Sequence, residues 1–352
     1  MAVKHLIDLD EFSHEELFKI LNMANLIMKN PGYYTDSCHG KVMATLFYEH
    51  STRTQMSFQT AMLRLGGTVI GFDNPLNSSV SKGESLKDTV RVISNYADLI
   101  TMRHVDEGAA KAAALYSRSP IINAGDGGHL HPTQTLTDIV TLLETKGTLE
   151  NLTIGLCGDL KNGRTVHSLI KAMSKFNNNK FVLISTKELT VPDYIKAILK
   201  KNNCPFSEST SLADAIGELD VLYMTRIQKE RFLSEIDYIN QKGVFVLDME
   251  KLNKAKSDLK ILHPLPRVDE IDIAVDDDPR AVYFDQTEYG MYARMALILH
   301  ILDSDHKLIN DTGDVNPAFT CENEKCITNK EIYLPKLTKA EENKQVCAYC
   351  EH

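Results

Sequence analysis

Short apolar runs alternate with amphipathic stretches from about residue 42 to 263. In the stretch 86–97, Leu86, Val90 and Ile93 recur at helical offsets of four and three, so they share one helical face. The runs between such stretches predict strands at Val42–Phe47, Thr68–Phe72, Asp98–Met102, Pro120–Asn123, Thr153–Cys157, Phe181–Ser185, Val221–Met224 and Val244–Leu247. Strands that alternate with helices predict parallel sheets covered on both faces, an α/β fold.

Two longer helical patterns divide this α/β body into domains. The stretch 131–146 and the Met-, Ala-, Leu- and Ile-rich stretch 289–302 both predict long helices. We expect these two helices to join two parallel-sheet domains and the second to return to the first. The expected divisions are a domain at 1–134 completed by 289–303, a second domain at 135–288, a polar linker at 304–315 and a small C-terminal β module at 316–352.

Composition excludes several classes of protein. The chain has 352 residues, with 39 Lys and Arg against 48 Asp and Glu, a net charge of −9. Its 43% hydrophobic fraction is typical of a globular protein rather than a disordered one. No apolar run approaches the ~20 residues that span a bilayer, and we expect neither a membrane nor a nucleic-acid partner. The acidic N-terminus lacks an export signal, so we expect a cytoplasmic protein.

The first candidate site is Ser51-Thr52-Arg53-Thr54, which follows a predicted strand and begins a helix. A helix N-terminus offers unpaired N–H groups and a positive dipole end, so these hydroxyls and this guanidinium suit a phosphate. The alternative is that one hydroxyl caps the helix and Arg53 is solvated. No glycine-rich nucleotide-binding motif is present.

Other polar segments also follow predicted strands. Arg103 ends one strand, and His131 begins a helix after another strand and a glycine-rich turn at 125–128. Ligands of parallel α/β sheets bind beyond the carboxyl ends of the strands, where these side chains are expected. The polar loop 78–85 contains Lys82, and the two prolines of 263–267 predict a rigid loop.

Four of the seven cysteines form a C-terminal cluster with the spacing Cys321-x₄-Cys326-x₂₀-Cys347-x₂-Cys350. The two short spacings allow both pairs to bind the same tetrahedral metal ion, and four thiolates suit Zn²⁺. The alternatives are two disulfides, which fit poorly with a reducing compartment, and an iron site. A closed four-thiolate site has no open position for a substrate, so we expect a structural role for one zinc ion per chain.

Six motifs in order carry a family resemblance: STRT, MRH, HPTQ, GDLKNGRTVHSL, YMTRIQKER and HPLPRVDEI. Together they resemble the catalytic chains of the aspartate carbamoyltransferase family over roughly residues 1–305. Ornithine carbamoyltransferases share STRT but usually carry Cys in the H-P-x-Q motif and an H-C-L-P loop, whereas this chain has Thr133 and Pro264. The alternatives are an ornithine-type enzyme and a catalytically silent assembly protein. The second is disfavoured because every matched catalytic position is intact.

The resemblance implies transfer of the carbamoyl group of carbamoyl phosphate to L-aspartate, in de novo pyrimidine biosynthesis. It implies no organic cofactor. The implied catalytic residues are Arg53, Thr54, Lys82, Arg103 and His131. The implied carbamoyl phosphate ligands are Ser51, Thr52, Arg53, Thr54, Ser78, Arg103, His131, Gln134 and the backbone carbonyls of Pro264 and Leu265. The implied aspartate ligands are Lys82, Arg164, Arg226 and Gln228.

The resemblance also implies a homotrimer, or a multiple of it, in which a neighbouring subunit donates the loop with Ser78 and Lys82 to each active site. Glu49, Arg231 and Asp269 resemble family residues that form interdomain ion pairs. The cysteine module resembles the zinc domain of the family's regulatory chain, fused here without an effector-binding domain. We therefore expect the module to mediate contacts between protomers or trimers.

Overall fold

The computed structural model describes residues 5–227, 234–241, 243–303, 313–341 and 344–352. They form two compact units, one made of Met1–Thr133 with Met291–His352 and the other of Gln134–Gly290. The strands are β1 Val42–Phe47, β2 Thr68–Phe72, β3 Leu99–His104, β4 Ile121–Asp126, β5 Thr153–Cys157, β6 Lys180–Ile184, β7 Phe206–Ser209, β8 Val221–Met224, β9 Lys260–Leu262, β10 Asp314–Val315, β11 Leu337–Glu341 and β12 Lys344–Cys347.

Two helices start at residues whose side chains cap them, and both bury an apolar face. Ser13 and Glu16 form a capping box at the first helix, and Ser85 accepts the Asp88 N–H at the third. The α-helices are α1 His14–Lys29, α2 Thr52–Arg64, α3 Leu86–Ile93, α4 Ala109–Ala114, α5 Pro132–Lys146, α6 Arg164–Met173, α7 Asp193–Lys201, α8 Leu212–Ala215, α9 Glu235–Gln241, α10 Met249–Leu252 and α11 Asp285–Leu302. No helix in these ranges is long and apolar enough to cross a membrane.

Each unit has its own parallel sheet. The first unit has the strand order β2-β1-β3-β4, and the second has β7-β6-β5-β8-β9. Every residue of β3, β4 and β8 is buried, which explains why these strands are continuous runs rather than alternating patterns. The predicted α/β class is confirmed.

The structure differs from the predicted strands in the sheet of the second unit, where one predicted strand is absent and an edge strand was missed. The prediction of a strand at Val244–Leu247 is wrong, because this segment makes only one isolated bridge, from Leu247 to Ile271. The sheet position beside β8 is taken by β9 instead. Strand β7 was missed because its FSES sequence lies at the sheet edge with both central residues exposed, so it carries no apolar run.

The C-terminal module is a small antiparallel sheet of order β10-β11-β12 that packs on the first unit of its own chain. The Glu107 N–H donates to the Lys325 carbonyl, and the Ile327 N–H donates to the Glu107 carbonyl, both at 2.9 Å. Apolar residues of α4 and of the module form one continuous buried cluster. The module therefore has a docking surface within its own chain. Its expected role in contacts between protomers stays a prediction. Most of the predicted linker, 304–312, lies outside the described residues.

One glycine tests this docked arrangement. Gly108 has φ +82°, and a Cβ there would lie 2.6 Å from the Tyr349 Cβ, whereas Gly40 has φ +75° with nothing within 4 Å. Both Gly→Ala substitutions incur the left-handed backbone cost, but only Gly108→Ala also pushes the module away. We expect Gly108→Ala to lower the free energy of unfolding by about 1–3 kcal/mol more than Gly40→Ala does, measured by denaturant titration. Equal losses in the two variants would contradict the docked module.

Candidate active site and metal centre

The N-terminus of α2 lies directly after β1 and carries Ser51 to Thr54. The Ser51 hydroxyl donates to the Thr54 hydroxyl oxygen at 3.0 Å instead of capping the helix. Thr52 and Arg53 are exposed, and Thr54 is buried. The N-terminus of α2 therefore has no side-chain cap, and its positive dipole end suits an external anion.

Arg103, at the end of the neighbouring strand β3, brings a buried charge to the same edge of the sheet. Its Nη1 donates to the Ala124 carbonyl at 3.3 Å, and its Nη2 lies 3.0 Å from Glu49 Oε2. Its Nε is buried without a hydrogen-bond partner among the described residues. Burial lowers the pKa of the guanidinium, Glu49 opposes that shift, and the nearby charge of Arg53 adds to it. An anion would give the buried Nε of Arg103 an acceptor.

His131 is brought to Arg103 by a glycine. Gly125 has φ +118°, and a Cβ there would lie 2.8 Å from Arg103 Nη1 and 3.3 Å from His131 Cδ2. Only glycine leaves room for both side chains to pass this point of the backbone. The His131 Nδ1 is 3.4 Å from the Thr133 hydroxyl, and the ring is buried. The structure thus brings together the candidates that follow β1, β3 and β4.

The loop with Ser78 and Lys82 has a different character. It consists of two short 3₁₀ segments, Pro75–Asn77 and Ser79–Lys82, and the Ser78 hydroxyl donates to the Pro75 carbonyl at 2.7 Å. Lys82 is exposed and has no hydrogen bond or ion pair with any described residue of its chain. Lys82 is therefore available to a ligand or to another chain.

In the second unit, Arg164 and Arg226 follow the carboxyl ends of the adjacent parallel strands β5 and β8. Arg164 is the first residue of α6, and both arginines are half-buried. The two loops are held together because the Thr225 hydroxyl accepts the Asp159 N–H at 3.1 Å and the Thr225 N–H donates to the Cys157 carbonyl at 2.8 Å. Two guanidinium groups at one sheet edge suit a ligand with two carboxylates.

The remaining predicted residues of this unit follow β9 or lie on α5. Pro264 and Leu265 are half-buried in the loop after β9, and Leu265 has φ +54°. Gln134 is half-buried, and its Nε2 donates to Asp138 Oδ1 at 2.8 Å. Gln228 lies outside the described residues, as does Arg231.

Sequence reasoning missed a buried carboxylate in each unit, Asp126 in the first and Asp138 in the second. Asp126 closes β4 and accepts the Gly108 and Leu130 N–H groups at 2.8 and 3.1 Å. Asp138 is fully buried on α5. The available signal was an aspartate in the middle of the helix close to Leu136 and Ile139, which are also fully buried.

The C-terminal module holds a candidate metal centre. The sulfur atoms of Cys321, Cys326, Cys347 and Cys350 all lie within 4.8 Å of one another, and all four residues are buried. The distances Cys321–Cys350 and Cys326–Cys347 are 3.5 and 3.8 Å. A metal bound by four thiolates at ~2.3 Å needs sulfur–sulfur distances of about 3.8 Å, whereas a disulfide needs ~2 Å. The donor set therefore fits a tetrahedral metal ion.

Hydrogen bonds support these sulfur atoms. The Thr328 hydroxyl donates to the Cys326 sulfur at 3.2 Å, and the Asn329 amide donates to the Cys321 carbonyl at the same distance. Contacts from the Cys326 and Cys350 thiols lower the pKa of Cys347. Burial raises the pKa of Cys321 and the Cys347 contact raises that of Cys326, so the thiols of the cluster share their protons unequally.

The module also contacts the turn that leads to His131. The His129 ring lies 3.2 Å from Asp126 Oδ2 and 3.3 Å from Glu351 Oε2, and Lys339 pairs with the same Glu351. Burial would lower the pKa of His129, but the two carboxylates raise it to about 10. Glu107 accepts the Gly128 N–H at 3.1 Å and the Asn323 amide at 2.7 Å. Residues of the module thus help to hold the turn from both sides.

Two family models match this chain. The carbamoyl-phosphate-binding domain of aspartate/ornithine carbamoyltransferases matches residues 4–144, and their aspartate/ornithine-binding domain matches residues 150–301. Both matches end before the first cysteine of the C-terminal cluster.

Relatives and solved structures agree with these models. The chain is 59% identical over 299 residues to the aspartate carbamoyltransferase catalytic subunit of Clostridium novyi, covering 85% of this chain and 98% of the relative. Identity to the Clostridium perfringens catalytic subunit is 60% over 300 residues, with the same coverage. The catalytic subunit of M. jannaschii aspartate transcarbamoylase has a TM-score of 0.81 at 48% identity, covering 86% and 99% of the two chains. Trypanosoma cruzi aspartate transcarbamoylase in complex with N-(phosphonacetyl)-L-aspartic acid has a TM-score of 0.80 at 35% identity, covering 85% and 96%.

A cysteine substitution tests the metal centre. Cys347→Ser removes one ligand, so we expect the purified variant to retain far less metal than the wild-type chain, measured by elemental analysis. Cys204→Ser is the matched control, because Cys204 is a buried thiol whose sulfur donates to the Ser174 carbonyl at 3.2 Å, a contact that serine can make. A wild-type chain that is purified from reducing cytoplasm without metal would contradict the assignment.

Proposed function

The chain belongs to the aspartate/ornithine carbamoyltransferase family, and we propose that it transfers the carbamoyl group of carbamoyl phosphate to the amino group of L-aspartate. The products are N-carbamoyl-L-aspartate and phosphate, which assigns the reaction to de novo pyrimidine biosynthesis. The observation that carries this proposal is the approach of Arg103 and His131 across Gly125. Thr133, Pro264 and the catalytic subunits of the relatives favour aspartate over ornithine.

The first unit supplies the groups that act on carbamoyl phosphate. Ser51, Thr52, Arg53 and the N–H groups of α2 hold the phosphate, together with Arg103. The phosphate takes the place of the Glu49 carboxylate on Arg103 and provides an acceptor for its unpartnered Nε. Because a phosphate carries more negative charge than one carboxylate, the exchange compensates Arg53 as well as Arg103.

The same residues stabilise the reacting carbonyl. The amine of aspartate attacks the carbonyl carbon, and negative charge develops on the carbonyl oxygen of the tetrahedral intermediate. Thr54, Arg103 and His131 donate hydrogen bonds to this oxygen, and a neutral imidazole is sufficient for His131. The bond from carbon to the phosphate oxygen then breaks, phosphate departs with the electron pair, and the nitrogen releases its proton.

The second unit supplies the groups that hold aspartate and the carbamoyl nitrogen. Arg164 and Arg226 bind the two carboxylates of aspartate, and Gln228 assists Arg226. Gln134 and the backbone carbonyls of Pro264 and Leu265 accept hydrogen bonds from the carbamoyl NH₂. Fixing both reactants in this way removes their translational and rotational freedom before the chemical step.

Ser78 and Lys82 act in the active site of a neighbouring subunit, so the smallest active assembly is a homotrimer. The exposure of Lys82 and its lack of a partner among the described residues support this role. Lys82 contributes a positive charge for the phosphate and the aspartate carboxylate.

The C-terminal module binds one zinc ion through Cys321, Cys326, Cys347 and Cys350. Soft thiolate ligands and tetrahedral spacing support zinc, and a closed site supports a structural role. The contacts of Glu351 with His129 and of Asn323 with Glu107 support a function as a brace for the turn before His131. Four reduced thiols in one site also support a cytoplasmic location.

A direct assay tests the reaction. The purified protein is given carbamoyl phosphate with either aspartate or ornithine, and the ureido product is measured. We expect product from aspartate and little from ornithine, and we expect Arg53→Ala to lower kcat/KM by about 10²–10³. Arg64→Ala, at the exposed C-terminal end of the same helix, is the matched control and should retain wild-type activity. Preference for ornithine, or full activity of Arg53→Ala, would exclude the proposal.

A mixing experiment tests the shared active site. Lys82→Ala and Arg53→Ala chains are each expected to be nearly inactive alone, because every site lacks one of the two cations. Mixing them in equal amounts under conditions that exchange subunits should restore activity at about one site in four, by random assembly of a cyclic trimer. If the mixture stays as inactive as its components, Lys82 acts within its own chain.

A further inference from the structure

A buried hydrogen-bond network surrounds Asp138 in the second unit, and the reaction described above gives it no role. Asp138 Oδ1 accepts from Gln134 Nε2 at 2.8 Å and from Gln286 Nε2 at 2.6 Å. Its Oδ2 accepts from the Tyr223 hydroxyl at 3.0 Å. Asp138 is fully buried, and Gln286 is almost fully buried. These donors come from α5, α11 and β8, so the carboxylate joins three elements.

The acceptor character of this carboxylate determines the orientation of both glutamines. An ionised carboxylate offers only acceptors, so each amide must present its NH₂ group to Asp138 and direct its oxygen elsewhere. The Gln286 oxygen accepts the His263 N–H at 3.1 Å. Burial, and then the charge of Asp138, raise the pKa of Tyr223 far above its ordinary value, so its hydroxyl remains a donor. Gln134 is thereby left with its oxygen as the group available to a ligand.

The network continues into the loop after β9. The His263 Nδ1 accepts the Leu265 N–H at 2.7 Å, and its Nε2 lies 2.7 Å from Glu270 Oε1. Glu270 Oε2 in turn accepts the Val268 N–H at 3.0 Å. The conformation of Leu265 therefore depends on His263, whose own backbone is held through Gln286 by Asp138.

We propose that Asp138 is a positioning residue that selects an NH₂ group over a methyl group on the acyl phosphate, by directing the Gln134 oxygen and the Leu265 carbonyl towards that group. The inference rests on the proposed function, since it assigns the reading of the carbamoyl NH₂ to these acceptors. A carbamoyl group fills their hydrogen bonds, whereas an acetyl group of the same shape leaves them unpaired at a cost in binding.

The test compares carbamoyl phosphate with acetyl phosphate, which differs from it by CH₃ in place of NH₂. Asp138→Asn keeps the shape but loses the charge and places one NH₂ group among the donors. We expect the KM for carbamoyl phosphate to rise about tenfold, while the inhibition constant of acetyl phosphate, measured against carbamoyl phosphate, stays within about twofold. A merely structural role would weaken both ligands together, and that result would overturn the inference, as would unchanged constants.

Two further variants keep the test decisive. Asp220→Asn is the matched control, because Asp220 is a half-buried aspartate of the same unit that accepts the Thr153 N–H at 2.8 Å at the amino end of β5. Asp220→Asn should leave unchanged the ratio of the carbamoyl phosphate KM to the acetyl phosphate inhibition constant. If Asp138→Asn does not fold, Gln286→Met removes the link from Asp138 to His263 but leaves Gln134 bonded to Asp138. We then expect the ratio of the carbamoyl phosphate KM to the acetyl phosphate inhibition constant to rise about threefold. An unchanged ratio in folded Gln286→Met would then overturn the inference.

The outcomes separate this inference from the proposed function. A wild-type chain that forms no ureido product from aspartate removes both. A wild-type chain that forms the product, combined with a ratio that Asp138→Asn does not change, removes only the role of Asp138.

Discussion

A carboxylate that is buried in a protein must be surrounded by donors, because an unpaired charge in the interior costs several kcal/mol. Each unit of this chain contains such a group at its candidate site residues. Asp126 in the first unit accepts hydrogen bonds from Gly108, Leu130 and the Asn123 side chain. Asp138 in the second unit accepts from two glutamines and a tyrosine. In both units the donors belong to the segments that carry the candidate catalytic and binding residues. Satisfying these buried charges therefore constrains the segment before His131 in the first unit and the Gln134 side chain in the second.

The parts of this arrangement that could be predicted from sequence are those with a local cause. Strands such as Thr153–Cys157 are continuous apolar runs because parallel sheets are covered on both faces. The site at Ser51 follows from a helix start placed after a strand. By contrast, Gln286 lies 148 residues from Asp138, and no local pattern relates the two. Strand β7 and the segment at Val244 depend on which segment occupies a sheet edge, which is decided by competition in the folded state.

The cysteine module illustrates the same distinction. Its four-cysteine cluster could be identified from spacing alone, because the geometry of a candidate metal centre is a local constraint. Its docking surface could not, since α4 is a short run of alanines and one lysine that carries no recognisable motif. Small side chains matter there because they let the module approach closely, as the contact between Gly108 and Tyr349 shows. The result is a core shared by the module and the α/β body.

The candidate site of the first unit is organised at a cost in stability. Arg103 is buried with Nε unpartnered among the described residues, and Glu49 is its only carboxylate partner there. A protein optimised for stability alone would replace such a group with an apolar one. Retaining it makes sense where a phosphate will complete the hydrogen bonds, because donors that are already in place need no reorganisation when the substrate arrives. The same reasoning applies to the Gln134 oxygen, which Asp138 keeps available. The net charge of −9 conceals this design, since the cations that matter are few and are concentrated at the carboxyl edges of two sheets.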